Sequence, residues 1–439
     1  MKTLIDQFPK QLKTLGFLLF FAILSTNAMA QQGITANDRK EVIDGIAKLM
    51  DSLYVFPEVA TEATDYLKEK ERQGKYDHMV APNEFAQVLT EDLKFITHDL
   101  HLNVTFNPEA IAREKEKSAG ADMAMGSIDR LKMENFGFKE VSILEGNVGY
   151  IDLRFFAFPE VGAETAVAAM NYLANTDAII FDLRNNRGGS PAMIQLIQSY
   201  LYDSKPVHLN NFYFRPADKH TQTWTLPHVP GKRNPDAEVY VLTSKRSFSA
   251  AEEFSYNIRN LERGTLIGET TGGAANPGRT RTINDRFMIF IPTGRAYSPV
   301  TDKNWEGIGV KPHIEVPQEN ALQVAHSQAL EHLSNKAEDA ELKDYYDWHI
   351  NYFNASHNPA ELNEEELSFL CGSYGPAKIE KKDDQLIYHR LGTKLKLMPL
   401  SETEFYIDDQ PGVRLKFSED KSELKEEYIS GNSRIYRRS

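Results

Sequence analysis

The sequence predicts an α/β protein, with a layered, largely parallel sheet over residues 146–318, a helical segment before it and a small all-β unit after it. Three observations carry this. Within 146–318, continuous apolar runs alternate with stretches of helical periodicity. Upstream, apolar residues recur at three- and four-residue spacing, and beyond residue 356 short segments alternate apolar and polar residues between turn signals. A chain of 439 residues is long enough for two or three domains, each with its own core.

The first thirty residues read differently. Lys2, Lys10 and Lys13 precede GFLLFFAIL, and the stretch ends in Ala28-Met29-Ala30 before Gln31. A basic start, a short apolar run and an A-x-A ending predict a signal peptide over 1–30, cleaved near Ala30-Gln31. The mature chain is then expected to be secreted or periplasmic. The apolar run falls short of the ~20 residues that span a bilayer, so no transmembrane segment is expected in the mature chain.

Residues 31–145 are expected to form a helical domain and connector. The stretch 36–76 and NEFAQVLTEDLKFI carry helical periodicity, with Pro82-Asn83 as a start, and the helical part ends near His101. A short connection follows, and the charged run Arg113–Lys117 and the stretch Met123–Met133 fit a helical or loose connector. The core then alternates. VGYIDLRFF, DAIIFDLR, EVYVLT, TLIGET and RFMIFIPTG read as strands, and AETAVAAMNYLAN, PAMIQLIQSYLY and AAEEFSYNIRN as helices. GIGVKPHIEV closes the unit before Pro317. Residues 319–355 read as a charged helical linker. Residues 356–439 read as a β domain, with strands QLIYHR, KLKLMPL, EFYI, VRLKF, ELKEEYI and SRIYRR.

Composition removes several functions. A net charge of −13 without a concentrated basic stretch argues against a nucleic-acid binder. The single Cys371 rules out an internal disulfide framework, and the 12 histidines show no tight metal-ligand spacing, so neither a metal nor another cofactor is expected.

The stretch SKRSFSAAEEFS, 244–255, places Ser247 and Ser249 where a buried strand hands over to a helix. A serine there either caps the helix, with Glu252 completing a capping box from Ser249, or acts as a nucleophile beside unpaired helix N–H groups. A second feature is DLRNNRGGSP, 182–191, at the carboxyl end of a predicted buried strand. Its Gly188-Gly189 pair either makes a tight turn or lets backbone approach a ligand.

DLRNNRGG, TSKRSFSAAEEF, LIGETTGGAANPG and NWEGIGVKPHIEV, in this order, resemble the C-terminal-processing (tail-specific) serine peptidase family. The closer match is the branch of the interphotoreceptor retinoid-binding protein modules and the tricorn core protease. The resemblance covers about residues 90–318. It implies a ClpP/crotonase-like ββα core, Ser249 as nucleophile, and an oxyanion hole from the Ala250 N–H and a glycine of the Gly188-Gly189 pair. Many relatives place a lysine base where this chain has Ala274, so a different base is needed. Tricorn-like members use a histidine from the preceding helical region, which maps to His101 in THDLHLNVTF, with His98 as a close competitor, and a glutamate that maps to Glu306 orients it. Leu100 stands where tricorn-like sites carry a serine, and His313 replaces the aspartate of the family's PDI ending. Too few residues separate VTFNP from VGYIDL for the PDZ domain usual in tail-specific proteases.

With the predicted signal peptide, the resemblance implies an exported serine peptidase acting on peptides or unfolded protein segments. The rival is a non-catalytic binding protein for apolar ligands or peptides, to which Phe155, Phe156 and Phe158 could lend an apolar cleft, although core packing also explains that cluster. A third reading makes the β domain an interaction module.

Overall fold

The computed structural model describes residues 33–118 and 125–439. The expected signal peptide and part of the expected connector lie outside the described residues. The fold is mixed α/β, with a helical N-terminal region, a core built on a largely parallel sheet, and a C-terminal antiparallel sheet. The chain divides into two compact units that are not contiguous in sequence. Among the described residues, one takes those up to 130 with 208–223 and 273–309, and the other 131–207, 224–272 and 310–439.

The first unit starts with helices Ala36–Leu53, Pro57–Arg72 and Pro82–Thr97. Thr35 caps the first, its Oγ1 accepting from Asp38 N while Thr35 N donates to Asp38 Oδ2. Pro57 and Pro82 open the other two, where a missing N–H removes nothing the helix would use. Their apolar faces, with Val42, Ile46, Met50, Leu67, Phe85 and Leu89, pack on Phe287, Ile289 and Ile291. Those three lie on Phe287–Pro292, the middle strand of a three-stranded antiparallel sheet between Asn103–Phe106 and Gly278–Thr282. Two expectations change here. The connection after His101 contains a strand, and RFMIFIPTG joins this sheet rather than the parallel one. Both depend on a pairing across about 180 residues of chain that local pattern cannot reveal.

The second unit holds a six-stranded sheet in the order Ile314–Glu315, Thr265–Gly268, Glu238–Thr243, Ala178–Asp182, Val148–Leu153, Phe138–Leu144. Every neighbour is parallel except the last pair. Both faces are covered, which is why the strands read as unbroken apolar runs. On one side Val148, Ile180, Leu242 and Ile267 meet Ala325, Ala329 and Leu330 of helix Ala321–Lys336. On the other, Phe181 packs against Phe254 of helix Ala250–Asn260, ring centroids 5.0 Å apart. Burying a ring such as Phe254 contributes about 1.5–3 kcal/mol. His313 is the family departure with a visible consequence. Its N–H donates to Leu266 O and its Nδ1 accepts from Leu266 N, both at 2.9 Å, pinning the short edge strand to its neighbour.

The predicted linker is the helix pair Ala321–Lys336 and Ala340–His357. The C-terminal sheet that follows has eight strands, each antiparallel to the next in sequence. The six expected strands are joined by Gly372–Tyr374 and Ala377–Lys382. A bridge between Tyr374 and Arg438, with Ser439 N donating to Ser373 O, joins the first strand to the end of the last. Inside, Glu426 is fully buried and accepts from Arg390, Tyr388, Tyr428 and Tyr436.

Candidate active site

Ser249, Ala250, Gly188 and Gly189 lie in the second unit. Strand Glu238–Thr243 ends in a turn that separates the two serines by function. Ser247 is fully buried, its Oγ donating to Leu183 O at 2.7 Å and accepting from Ser244 N at 3.0 Å, so it ties two strand ends together. Ser249 is half-buried and stands immediately before helix Ala250–Asn260, at φ 55° and ψ −118°. A residue with a Cβ in that region costs on the order of 1–3 kcal/mol, a strain kept where surrounding contacts over-determine it. Here they do. Ser249 N donates to Glu252 Oε2 at 2.9 Å, while Thr271 Oγ1 donates to Glu252 Oε1 at 2.5 Å. The expected Glu252 half of the capping box is thus present.

The glycine pair faces this turn. Gly188 and Gly189 have φ of 106° and 134°, where a side chain is strained. A Cβ on Gly188 would lie 2.8 Å from Ser249 Cβ and 3.0 Å from Ala250 N, so any larger residue would cover the start of the helix. Asn186 sets the loop. It is fully buried, its Nδ2 donates to Leu153 O, its Oδ1 accepts from Gly188 N at 2.8 Å, and its backbone O accepts from Phe248 N. That commits the Gly188 N–H. The parallel bridge of Phe156 with Gly189 runs through Gly188 O and Ser190 N, so the Gly189 N–H points out of that ladder. The Ala250 N–H belongs to the first turn, whose N–H groups lack helical acceptors and carry partial positive charge. Phe156 is core, stacked on Phe254, while Phe158 is 60% exposed, so the phenylalanines do not share one cleft.

His101 and Glu306 lie in the first unit, together with Asp99. One donor atom from each of the three falls within 4.8 Å of the others, a set that could also hold a divalent cation. Asp99 is 1% exposed. Its Oδ1 accepts the His101 backbone N–H at 3.0 Å, and its Oδ2 accepts from Asn276 Nδ2 at 3.0 Å and Tyr54 OH at 3.2 Å. Glu306 Oε2 accepts from Ala275 N and Asn276 N at 2.5 and 3.1 Å. Its loop is held by Trp305, whose Nε1 donates to Ala274 O. The His101 ring stacks on Phe290, centroids 5.7 Å apart. His98, the competitor, is exposed at the left-handed cap of helix Pro82–Thr97.

Burial dominates the electrostatics. Desolvation, with a smaller contribution from the Lys94 charge, lowers the His101 pKa to about 4, so the ring is neutral at pH 7. Desolvation and the neighbouring Asp99 charge push Glu306 up to about 8, and Asp99 is also raised by burial. Each carboxyl's burial, and for Glu306 the charge of Asp99, disfavours ionising both. Sequence reasoning missed Asp99, Tyr54, Asn276 and Asn186. Asp99 and Asn186 sit in stretches already singled out, each two residues before an expected site residue, and these were the two with a usable signal.

Residues 147–316 match Peptidase family S41, and residues 34–136 match the N-terminal domain of Peptidase_S41 in eukaryotic IRBP; together these span more than half of the chain. Solved structures with a similar fold include a candidate peptidase from Parabacteroides merdae ATCC 43184, at 16% identity over 66% of this chain and 96% of that one, TM-score 0.47. The photosystem II D1 C-terminal processing protease matches at 12% identity, 65% and 94% coverage, and TM-score 0.42. The tricorn protease matches at 14% identity, 65% and 35% coverage, and TM-score 0.39.

Proposed function

Because the chain belongs to peptidase family S41, we propose that it is an exported serine peptidase hydrolysing peptides or unfolded protein segments through an acyl-enzyme. Ser249 Oγ attacks the scissile carbonyl while His101 takes its proton. The oxyanion accepts from the N–H groups of Ala250 and Gly189, with Gly188 keeping the approach open rather than donating. Collapse of the tetrahedral intermediate breaks the C–N bond as His101 returns the proton to the leaving amine. Water, deprotonated by His101, then releases the acid and restores Ser249. Glu306 orients His101 and, with Asp99, offsets the imidazolium charge.

The observation that carries this reading is the strained Ser249 at a helix N-terminus, opened by a glycine that a Cβ would close. Export rests on the predicted signal peptide. Among the described residues no helix is long and apolar enough to cross a membrane. The test uses a fluorophosphonate probe and a peptide library. The protein should be labelled, Ser249→Ala should abolish labelling, and His101→Ala should slow turnover by about 10⁴-fold or more. Labelling that survives in Ser249→Ala would sink the assignment.

A further inference from the structure

Strand Gly278–Thr282 is an edge: it pairs with Phe287–Pro292 and with no other strand among the described residues. Residues 279–282 are exposed along their whole length. Exposed edges are open to pairing by another chain, so what this one carries matters. Its side chains are Arg279, Thr280, Arg281 and Thr282, in a protein of net charge −13. No salt bridge among the described residues involves either arginine.

The register says which groups face outward. Ile283 N donates to Phe287 O and Thr293 N to Pro277 O, so odd-numbered positions bond to the neighbouring strand. The backbone N–H and C=O of Thr280 and Thr282 therefore point to the open side. An antiparallel segment bonding there would set its residues opposite Arg279 and Arg281 in the non-hydrogen-bonded pairs, where side chains come closest. Thr280 is also directly opposite Phe290, the residue on which His101 stacks. A segment added at this edge would run one strand spacing, about 4.8 Å, beyond Thr280, and so about two spacings from the strand of Phe290.

We propose that this edge holds the substrate, and that the substrate class is extended polypeptide with acidic residues at alternate positions, read by Arg279 and Arg281. The proposal rests on the peptidase reading. A second copy of the chain is the wrong occupant, because antiparallel self-pairing about Thr280 would set arginine against arginine. Thr282 Oγ1 donates to Glu114 Oε2, so a carboxylate already sits where the basic stretch ends.

The experiment compares matched quenched peptides carrying Asp, Asn or Lys at two alternate positions. For the wild type, kcat/KM should fall in the order Asp, Asn, Lys, with about 2- to 30-fold between Asp and Asn. The preference should shrink in 1 M salt, where the Debye length is about 3 Å. The double variant Arg279→Glu/Arg281→Glu, checked for an unchanged melting curve, should invert the order. An unchanged order in that variant overturns the proposal, and the arginines then only guard the edge. If no peptide is cleaved, the peptidase reading fails instead. Anisotropy with the same peptides and Ser249→Ala protein still decides, since equal affinity for Asp and Asn peptides overturns the edge assignment. A dimer that the double variant dissolves would also overturn it.

Discussion

Around Ser249 the structure is made of backbone: a strained dihedral, two glycines at positive φ, the first N–H groups of a helix, and a loop knitted by Asn186. Around His101 it is made of side chains: two buried carboxyls, a phenol, an amide and a ring stacked on Phe290. Each piece of that backbone takes its shape from residues close in sequence and cannot be tuned by one substitution without moving the chain. Side-chain electrostatics is assembled from distant segments and can be changed one group at a time. The two regions should therefore fail differently.

Among changes that leave Ser249 and His101 in place, the largest expected effect comes from closing the backbone side. Gly188→Ala places a methyl against Ser249 and Ala250 N, and should lower kcat by about 10²–10³-fold, the usual loss when an oxyanion donor is blocked. A single-turnover assay checks it. A variant that keeps near-normal kcat would break the contrast, because the turn would then be tunable after all. Next is Ser247→Ala, which leaves Ser244 N and Leu183 O without their partner. Denaturant unfolding should show a loss of about 1–3 kcal/mol while kcat stays within a few-fold. Loss of activity with unchanged stability would mean that the two serines have been assigned the wrong way round.

The smallest effect concerns pH. An unperturbed histidine base would lose about 4-fold in kcat/KM between pH 7.5 and pH 6. With the His101 pKa lowered to about 4, almost nothing should change over that interval, and the acid limb should appear near pH 4. The same shift bears on stability. The unfolded chain takes up a proton near pH 6.5 that folded His101 refuses, so its contribution is present above about pH 6.5 and is lost as pH falls toward 4. A kinetic limb at 6.5 would show the ring more solvated than its surroundings indicate.

The same division explains what could be read from the sequence. EVYVLT, the turn with its serines, AAEEFSYNIRN and the glycine pair are local strand–turn–helix patterns, and each appears where the residues place it. Tyr54 and Asn276 could not be connected to Asp99, because 45 and 177 residues separate them and a lone phenol or amide carries no spacing signal. The strands Gly372–Tyr374 and Ala377–Lys382 were missed for a different reason. The first is very short, and the second is mostly charged, with only Ala377 and Ile379 turned inward.

The bridge from Tyr374 to Arg438 leaves the C-terminal sheet without a first strand to peel away. Loosening any one hairpin breaks pairings on two sides, so the sheet is expected to melt as one cooperative body instead of fraying segment by segment. In a member of a peptidase family, a sheet closed in this way offers no slack polypeptide of its own to cleavage.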